Sequence, residues 1–348
     1  MNPVPGELPE PPSQLRCDRL RRCATWLVKA AAHVLLADVA FWRRRPQFRV
    51  EVGGAWGRFA RGFLYRLVLL PIALVSLVVS MVVTGTHPPR VAIAADPNTY
   101  DVYFDPVSLA SDDGTPLEGW LIPQLNAQRV IDQGEAALRN RHAAVVLVHD
   151  FGSSRAQMLP LVKPLHDGGF IVLAINLRGC GGSGSGAATF GIREAQDVQA
   201  AVEMLRRRPF VDPGKIAIVG VGTGATAAIL AAWRDPQVAA VVADHPLRSV
   251  DQAIEDYLCP RSRWLAWSQP LHRWTFEIAY RVDTTQIQRA VADGLGGPRP
   301  LLVFDESSAV RTCFSRQGTT QLLDFLNAHL SPAPPATAGI DPRPLEPR

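Results

Sequence analysis

The chain has 348 residues, 47% hydrophobic and 20% charged, enough apolar material for one large core with an anchor and a tail besides. Its net charge of +4 hides an asymmetry: residues 1–66 hold 12 Lys/Arg against 5 Asp/Glu, and the remainder holds 24 against 27. The slightly acidic remainder does not suggest a basic nucleic-acid-binding face, and five cysteines with neither CxxC spacing nor a neighbouring His cluster argue against a metal centre.

Residues 1–62 read as a basic cytoplasmic segment. Its first fifteen residues carry Pro3, Pro5, Pro9, Pro11 and Pro12 and lack the pattern of a packed element. From Arg16 to Trp42, Arg19, Arg21, Arg22 and Lys29 interleave with Leu20, Trp26, Leu27, Val34, Leu35 and Val39. That pattern fits an amphipathic helix on an anionic membrane face, with a small cytoplasmic helical pair as the alternative. Leu67 to Val83 carries no charge, and residues 63–85 reach the roughly 20 residues that a bilayer requires. Arg43, Arg44, Arg45, Arg49, Arg58, Arg61 and Arg66 precede this span, and only Arg90 follows closely. The bias predicts a single-pass protein with a cytoplasmic N-terminus and an extracytoplasmic C-terminal domain.

A linker over 86–95 leads into a domain over 96–330. Val102–Ser108 and Leu117–Ile122 read as strands joined by a turn at Asp112-Asp113-Gly114. A polar excursion follows over 124–141. The runs Ala143–Val148, Phe170–Ile175, Ile216–Val219, Val238–Val242 and Leu301–Phe304 are short and apolar, and predicted helices separate most of them. This alternation predicts a doubly wound, mainly parallel α/β sheet. Residues 248–298 are helical and aromatic, with Tyr257, Trp264, Trp267, Trp274, Phe276 and Tyr280, and suit either a cap or a cover for the sheet. The last predicted helix, Thr319–Leu330, gives way to a Pro-rich tail over 331–348, expected to be disordered.

The chemistry should centre on Lys215–Ala228, KIAIVGVGTGATAA. A β-branched run turns sharply into a helix of small residues, with Gly220 two before and Gly224 two after a central position. This is the pattern of a nucleophile elbow, in which the central side chain stands exposed above the sheet beside a helix N-terminus. The central residue is Gly222, which has no side chain to react.

Four stretches in register carry a resemblance: DDGTPLEGWLIP, VVLVHDFGSSR, LRGCGGSG, and IAIVGVGTGATAAILAA with VAAVVADHP behind it. Residues 96–330 resemble the α/β-hydrolase superfamily, in particular its membrane-anchored bacterial members with serine-aminopeptidase-like domains. The resemblance implies an α/β-hydrolase fold and hydrolysis of ester, thioester, amide or peptide bonds through a Ser–Asp–His triad, with no cofactor. It also implies an oxyanion hole made by the backbone N–H groups of Phe151 and Thr223. The departures fall on the chemistry. Gly222 stands at the serine, Ser308 at the acid, His149-Asp150 at the His-Gly pair of the oxyanion loop, and Asn176 at the Asp before Arg178-Gly179. No histidine lies between Ala309 and Gly318, where the base belongs.

Substitutes are weak. Thr223 suits helix capping better than attack. His329, with Asp305 or Glu306 as partner, sits in a terminal helix and reads as solvated. His149 reads as a support for its loop. Asp244 and His245, at a strand end, are the remaining cleft candidates with Asp150. Cys180, in a glycine-rich turn near Arg178, reads as a packing residue, and the sequence leaves the redox state of Cys180, Cys259 and Cys313 open. The expectation is a degenerate triad and a membrane-anchored pseudo-hydrolase that binds or scaffolds. Its partners would be the bilayer and a small acyl or anionic ligand or a protein in the cleft; nucleic acid is not expected. The alternative is an active hydrolase with an unconventional or partner-supplied nucleophile.

Overall fold

The computed structural model describes residues 55–124, 141–258, 268–296, 299–306 and 308–330. The predicted amphipathic helix, most of the polar excursion, Cys259, Trp264, Trp267 and the Pro-rich tail lie outside these residues.

Among the described residues, seven strands form one sheet: β1 (Asp105–Ala110), β2 (Pro116–Ile122), β3 (His142–Val148), β4 (Ile171–Ile175), β5 (Val211–Val221), β6 (Ala240–Asp244) and β7 (Leu301–Phe304). Their order is β1-β2-β4-β3-β5-β6-β7. The first pair is an antiparallel hairpin, β2 runs antiparallel to β4, and β4, β3, β5, β6 and β7 are mutually parallel. The predicted turn closes the hairpin: Ser111 N–H donates to the Thr115 carbonyl, and Gly114 takes φ +79°, a backbone that glycine tolerates without strain.

The stretches Ala144–Val148, Ile171–Ile175 and Ile216–Val219 of the central strands are apolar and buried because helices cover both faces. Side chains alternate along β3: Val146 and Val148 join one core cluster, and Val145 and Leu147 the other. The helices are α1 (Ala55–Gly85), α2 (Leu159–Asp167), α3 (Glu194–Arg206), α4 (Thr223–Arg234), α5 (Val250–Ala253), α6 (Gln269–Tyr280), α7 (Thr285–Gly296) and α8 (Arg316–Leu330). Residues of α3 and α4 fill the first cluster, and residues of α2 and α8 the second. From the region expected to be cap-like, α7 packs along α4 and so extends the helical layer. Two of its rings reach the loops beside the elbow: Tyr257 lies tilted against Phe151 at 4.7 Å, and Phe276 stacks on Phe190 at 5.5 Å between ring centroids.

A buried guanidinium ties the hairpin to this layer. Arg178 donates through Nη2 to Asp197 at 2.6 Å and through Nη1 to Asp113 at 2.7 Å. Arg178 and Asp197 are almost wholly buried, a condition charged groups tolerate only when paired and hydrogen-bonded.

The segment Leu67–Gly85 of α1 is long and apolar enough to cross a membrane. Phe63, Leu64, Leu67, Val68, Leu70 and Ile72 are exposed, whereas Val78 and Val82 are buried in the domain core. Beyond the helix, Thr86 accepts from the Ala188 N–H at 2.8 Å, and the Arg90 guanidinium donates to the Gly181 carbonyl at 2.6 Å.

Candidate active site

β5 ends at Val221 and α4 begins at Thr223, leaving Gly222 as the single linking residue and the N-cap. Its backbone takes φ +57° and ψ −119°, a region that costs a residue with a Cβ roughly 1–3 kcal/mol. Gly222 N–H donates to the Asp244 carbonyl at 2.8 Å, and its carbonyl accepts from Thr226 N–H at 3.2 Å. Gly224 is required by close approach, because a Cβ there would overlap the His149 carbonyl oxygen. The geometry is that of a nucleophile elbow with a bare apex.

Asp150, at the end of β3, turns back into this space. Its Oδ1 accepts from Phe151 N–H at 2.6 Å and from Thr223 N–H at 2.8 Å, and the Thr223 hydroxyl lies at 3.3 Å. The two main-chain donors expected to form an oxyanion hole thus converge on one atom, and that atom is a carboxylate oxygen of the same chain. A Cβ built on Gly222 would lie well inside van der Waals contact of the Asp150 carboxyl group. The loop is held by Asp150 N–H donating to Gln157 Oε1 at 2.8 Å. Burial pushes the Asp150 carboxyl above the usual range, and the nearby Asp244 adds to this. The hydrogen bonds from Thr223 and Phe151 pull the other way.

One strand along, Asp244 ends β6 with its side chain buried, and Oδ1 meets His245 Nδ1 at 2.5 Å. Oδ2 accepts from the Thr312 hydroxyl at 2.7 Å and Cys313 N–H at 2.9 Å. His245 is about half exposed and takes φ +52°, while its N–H donates to the Phe304 carbonyl at 2.8 Å. This is an oriented imidazole with a fixed carboxylate behind it, built on the strand beside the elbow.

The other candidates are dispersed. His149 is wholly buried. Its Nδ1 pairs with the Asp150 carbonyl and its Nε2 accepts from Leu177 N–H at 3.1 Å; burial lowers it to about 4, so the ring is neutral at pH 7. Asn176 accepts from Arg155 N–H at 2.8 Å and so joins the same loop to β4. The Ser308 hydroxyl donates to Asp305 Oδ1 at 2.9 Å in the turn after β7, and Asp305 also faces Arg248 at 3.6 Å. His329 pairs with the Phe325 carbonyl one turn back in α8, and its ring lies against Phe325. One expectation changes. The helix starts at Thr223 with Gly222 as N-cap, so Thr223 does not cap it; its hydroxyl faces Asp150 instead. Cys180 is buried, as a packing residue should be: Arg178 is committed to Asp197, and burial and Glu194 push the thiol up to about 12.

Sequence reasoning assigned the oxyanion donors but missed what they would hold. The available signal was Asp150 itself, a short acidic side chain where the loop pattern calls for glycine. No group of His, Cys, Asp and Glu suited to a metal ion occurs among the described residues.

The comparisons agree with this architecture. The esterase Pf2001 of Pyrococcus furiosus superposes with a TM-score of 0.51 at 24% identity, covering 70% of this chain and 98% of that one. At that identity the likeness concerns the fold alone. Among curated proteins, Uncharacterized protein Rv2307c of Mycobacterium tuberculosis is 31% identical over 145 residues, 41% of this chain and 46% of that protein. Uncharacterized protein YfhR of Escherichia coli O157:H7 is 27% identical over 161 residues, 46% of this chain and 52% of that protein. The chain thus spans about half the length of the curated relatives it matches. The model of the Alpha/beta hydrolase family matches residues 145–345, more than half of the chain and the stretch that carries the parallel strands, the elbow and the Asp244–His245 pair. The protein belongs to the alpha/beta hydrolase family.

Proposed function

We propose that this chain is a membrane-tethered, non-catalytic member of its family that binds or scaffolds through the cleft and the helices over it. One observation carries the reading: the Asp150 carboxylate accepts from both oxyanion donors and fills the space of a side chain at Gly222. A tetrahedral intermediate needs those donors free and a nucleophile at the apex. Here the donors are engaged, the apex is bare, and Ser308 sits at the position of the acid. An ionised Asp150 also repels an anionic ligand, which favours a neutral acyl group or a protein partner. Within the family, the order of hairpin, oxyanion loop and elbow behind an apolar span favours the membrane-anchored, serine-aminopeptidase-like branch. The basic segment before Leu67 favours a cytoplasmic N-terminus and an extracytoplasmic domain.

A second reading rests on the Asp244–His245 pair, in which an oriented imidazole is available as a general base. An active hydrolase of this kind would have His245 take a proton from water attacking an acyl carbonyl and return it to the leaving alcohol. Labelling of the full chain with a fluorophosphonate, which needs an activated hydroxyl, separates a surviving serine- or threonine-type mechanism from silence. No label is expected, and a label abolished by Thr223→Ala would defeat the proposal.

A further inference from the structure

Helix α6 presents two unlike faces. His272 and Phe276 point inward and are wholly buried, and Arg273 and Glu277 pair along the flank at 3.2 Å. Pro270, Trp274 and Ile278 fall four residues apart on the opposite side and form a straight exposed ridge. Trp274 is 59% and Ile278 57% exposed, among the most exposed large apolar side chains outside α1. A tryptophan and an isoleucine aligned on the outer face of a domain helix invite a partner.

The anchor helix identifies that partner. α6 packs against α1, and Tyr280 at its end contacts Thr86 just beyond the last turn of α1. Val78 and Val82 belong to the apolar span Leu67–Gly85, yet the domain buries them. The span's last two turns, about 10 Å of helix, therefore run beside protein. With α1 read as a membrane span, the helix packed beside them comes at the depth where a bilayer gives way to its headgroups. Tryptophan favours that zone, because its ring is apolar and its N–H is polar. Inward from α6, the rings of Tyr280, Phe276, Phe190 and Phe151 follow one another at 5.2–5.6 Å and reach the loop that carries Asp150.

From these relationships we infer that α6 is an interfacial helix, whose Pro270–Trp274–Ile278 ridge seats in the headgroup region of the same bilayer that α1 crosses. The occupant of this face is the lipid surface, and the helices over the elbow are fixed between that surface and the cleft. The inference rests on the reading of α1 as a membrane span.

The test uses the full chain reconstituted in phosphatidylcholine vesicles whose acyl chains are brominated near the headgroup. Tryptophan emission is compared between the wild type, Trp274→Phe and Trp233→Phe. Trp233 lies near the end of α4 away from the elbow, bonded to Asp293. The expected result is a quenched component lost in Trp274→Phe and retained in Trp233→Phe. Equal bromolipid quenching of the wild type and Trp274→Phe overturns the inference. So does quenching of Trp274 by aqueous iodide alone, or shielding from both quenchers, which would point to a second copy covering the ridge. Carbonate extraction of the same vesicles reads the anchor separately. Retained protein without the Trp274 component defeats only the inference, whereas protein released by carbonate defeats the anchor reading and the inference together.

Discussion

The Asp150 carboxylate occupies the volume that a side chain on Gly222 would need, while its Oδ1 accepts from the N–H of Thr223, the next residue, at 2.8 Å. The two positions are therefore coupled: a side chain at 222 requires the carboxylate to leave, and its departure frees both main-chain donors. Gly222→Ser alone should destabilise the protein by about 1–3 kcal/mol, from backbone strain and overlap. Combined with Asp150→Gly, the same serine should cost clearly less than the sum of the single changes. Chemical denaturation of the four proteins checks this, and strict additivity would show that the residues do not compete for space.

Asp150 also makes a prediction about pH. Burial and the nearby Asp244 raise its folded pKa above the ordinary 3.8, against the opposing hydrogen bonds. A raised carboxyl favours the folded state while protonated. Its contribution is complete below about pH 4 and is lost as pH rises through the folded value. Asp150→Asn keeps an acceptor for both N–H groups and removes the charge. It should melt higher than the wild type at pH 7, with the gap closing as pH falls toward 4. A variant less stable than the wild type at pH 7 would mean that the ionised form is what holds the loop.

Much of this was legible in the sequence, for identifiable reasons. The strands from β3 onward announce themselves as short apolar runs, because a parallel sheet covered on both faces tolerates little else. The elbow announces itself through Gly220 and Gly224, since a Cβ at Gly220 would run into the Gly224 backbone and one at Gly224 into the His149 carbonyl. The pairing of Asp150 with Thr223 did not show, because it depends on a rotamer and on a contact 73 residues away in sequence. Asp244 and His245 were legible as cleft candidates at a strand end, but the bond between them was not, since adjacent residues there diverge unless the backbone turns, as it does here at φ +52°. Thr223 was misread because capping chemistry was considered apart from the acceptor across the turn. The apolar segment of α1 was readable from its missing charges, but the burial of Val78 and Val82 is a tertiary fact that hydropathy does not encode.

The sidedness proposed for the apolar segment of α1 has its own test. With 12 Lys/Arg against 5 Asp/Glu before Leu67, a reporter that works only after export, fused after Ser331, should be active. Activity instead from a reporter that works only in the cytoplasm would reverse the orientation and leave the fold untouched.

On the non-catalytic reading, the carboxylate of Asp150 stands where a working enzyme keeps its nucleophile and its oxyanion. Turnover of short acyl esters by the purified full chain tests it most directly, measured beside Asp150→Asn and His245→Ala. All three are expected to match one another and the uncatalysed rate, except for the small residual that binding alone provides. Turnover by the wild type that disappears in Asp150→Asn or His245→Ala would contradict it, and would assign the chemistry to the Asp150 carboxylate or the Asp244–His245 pair.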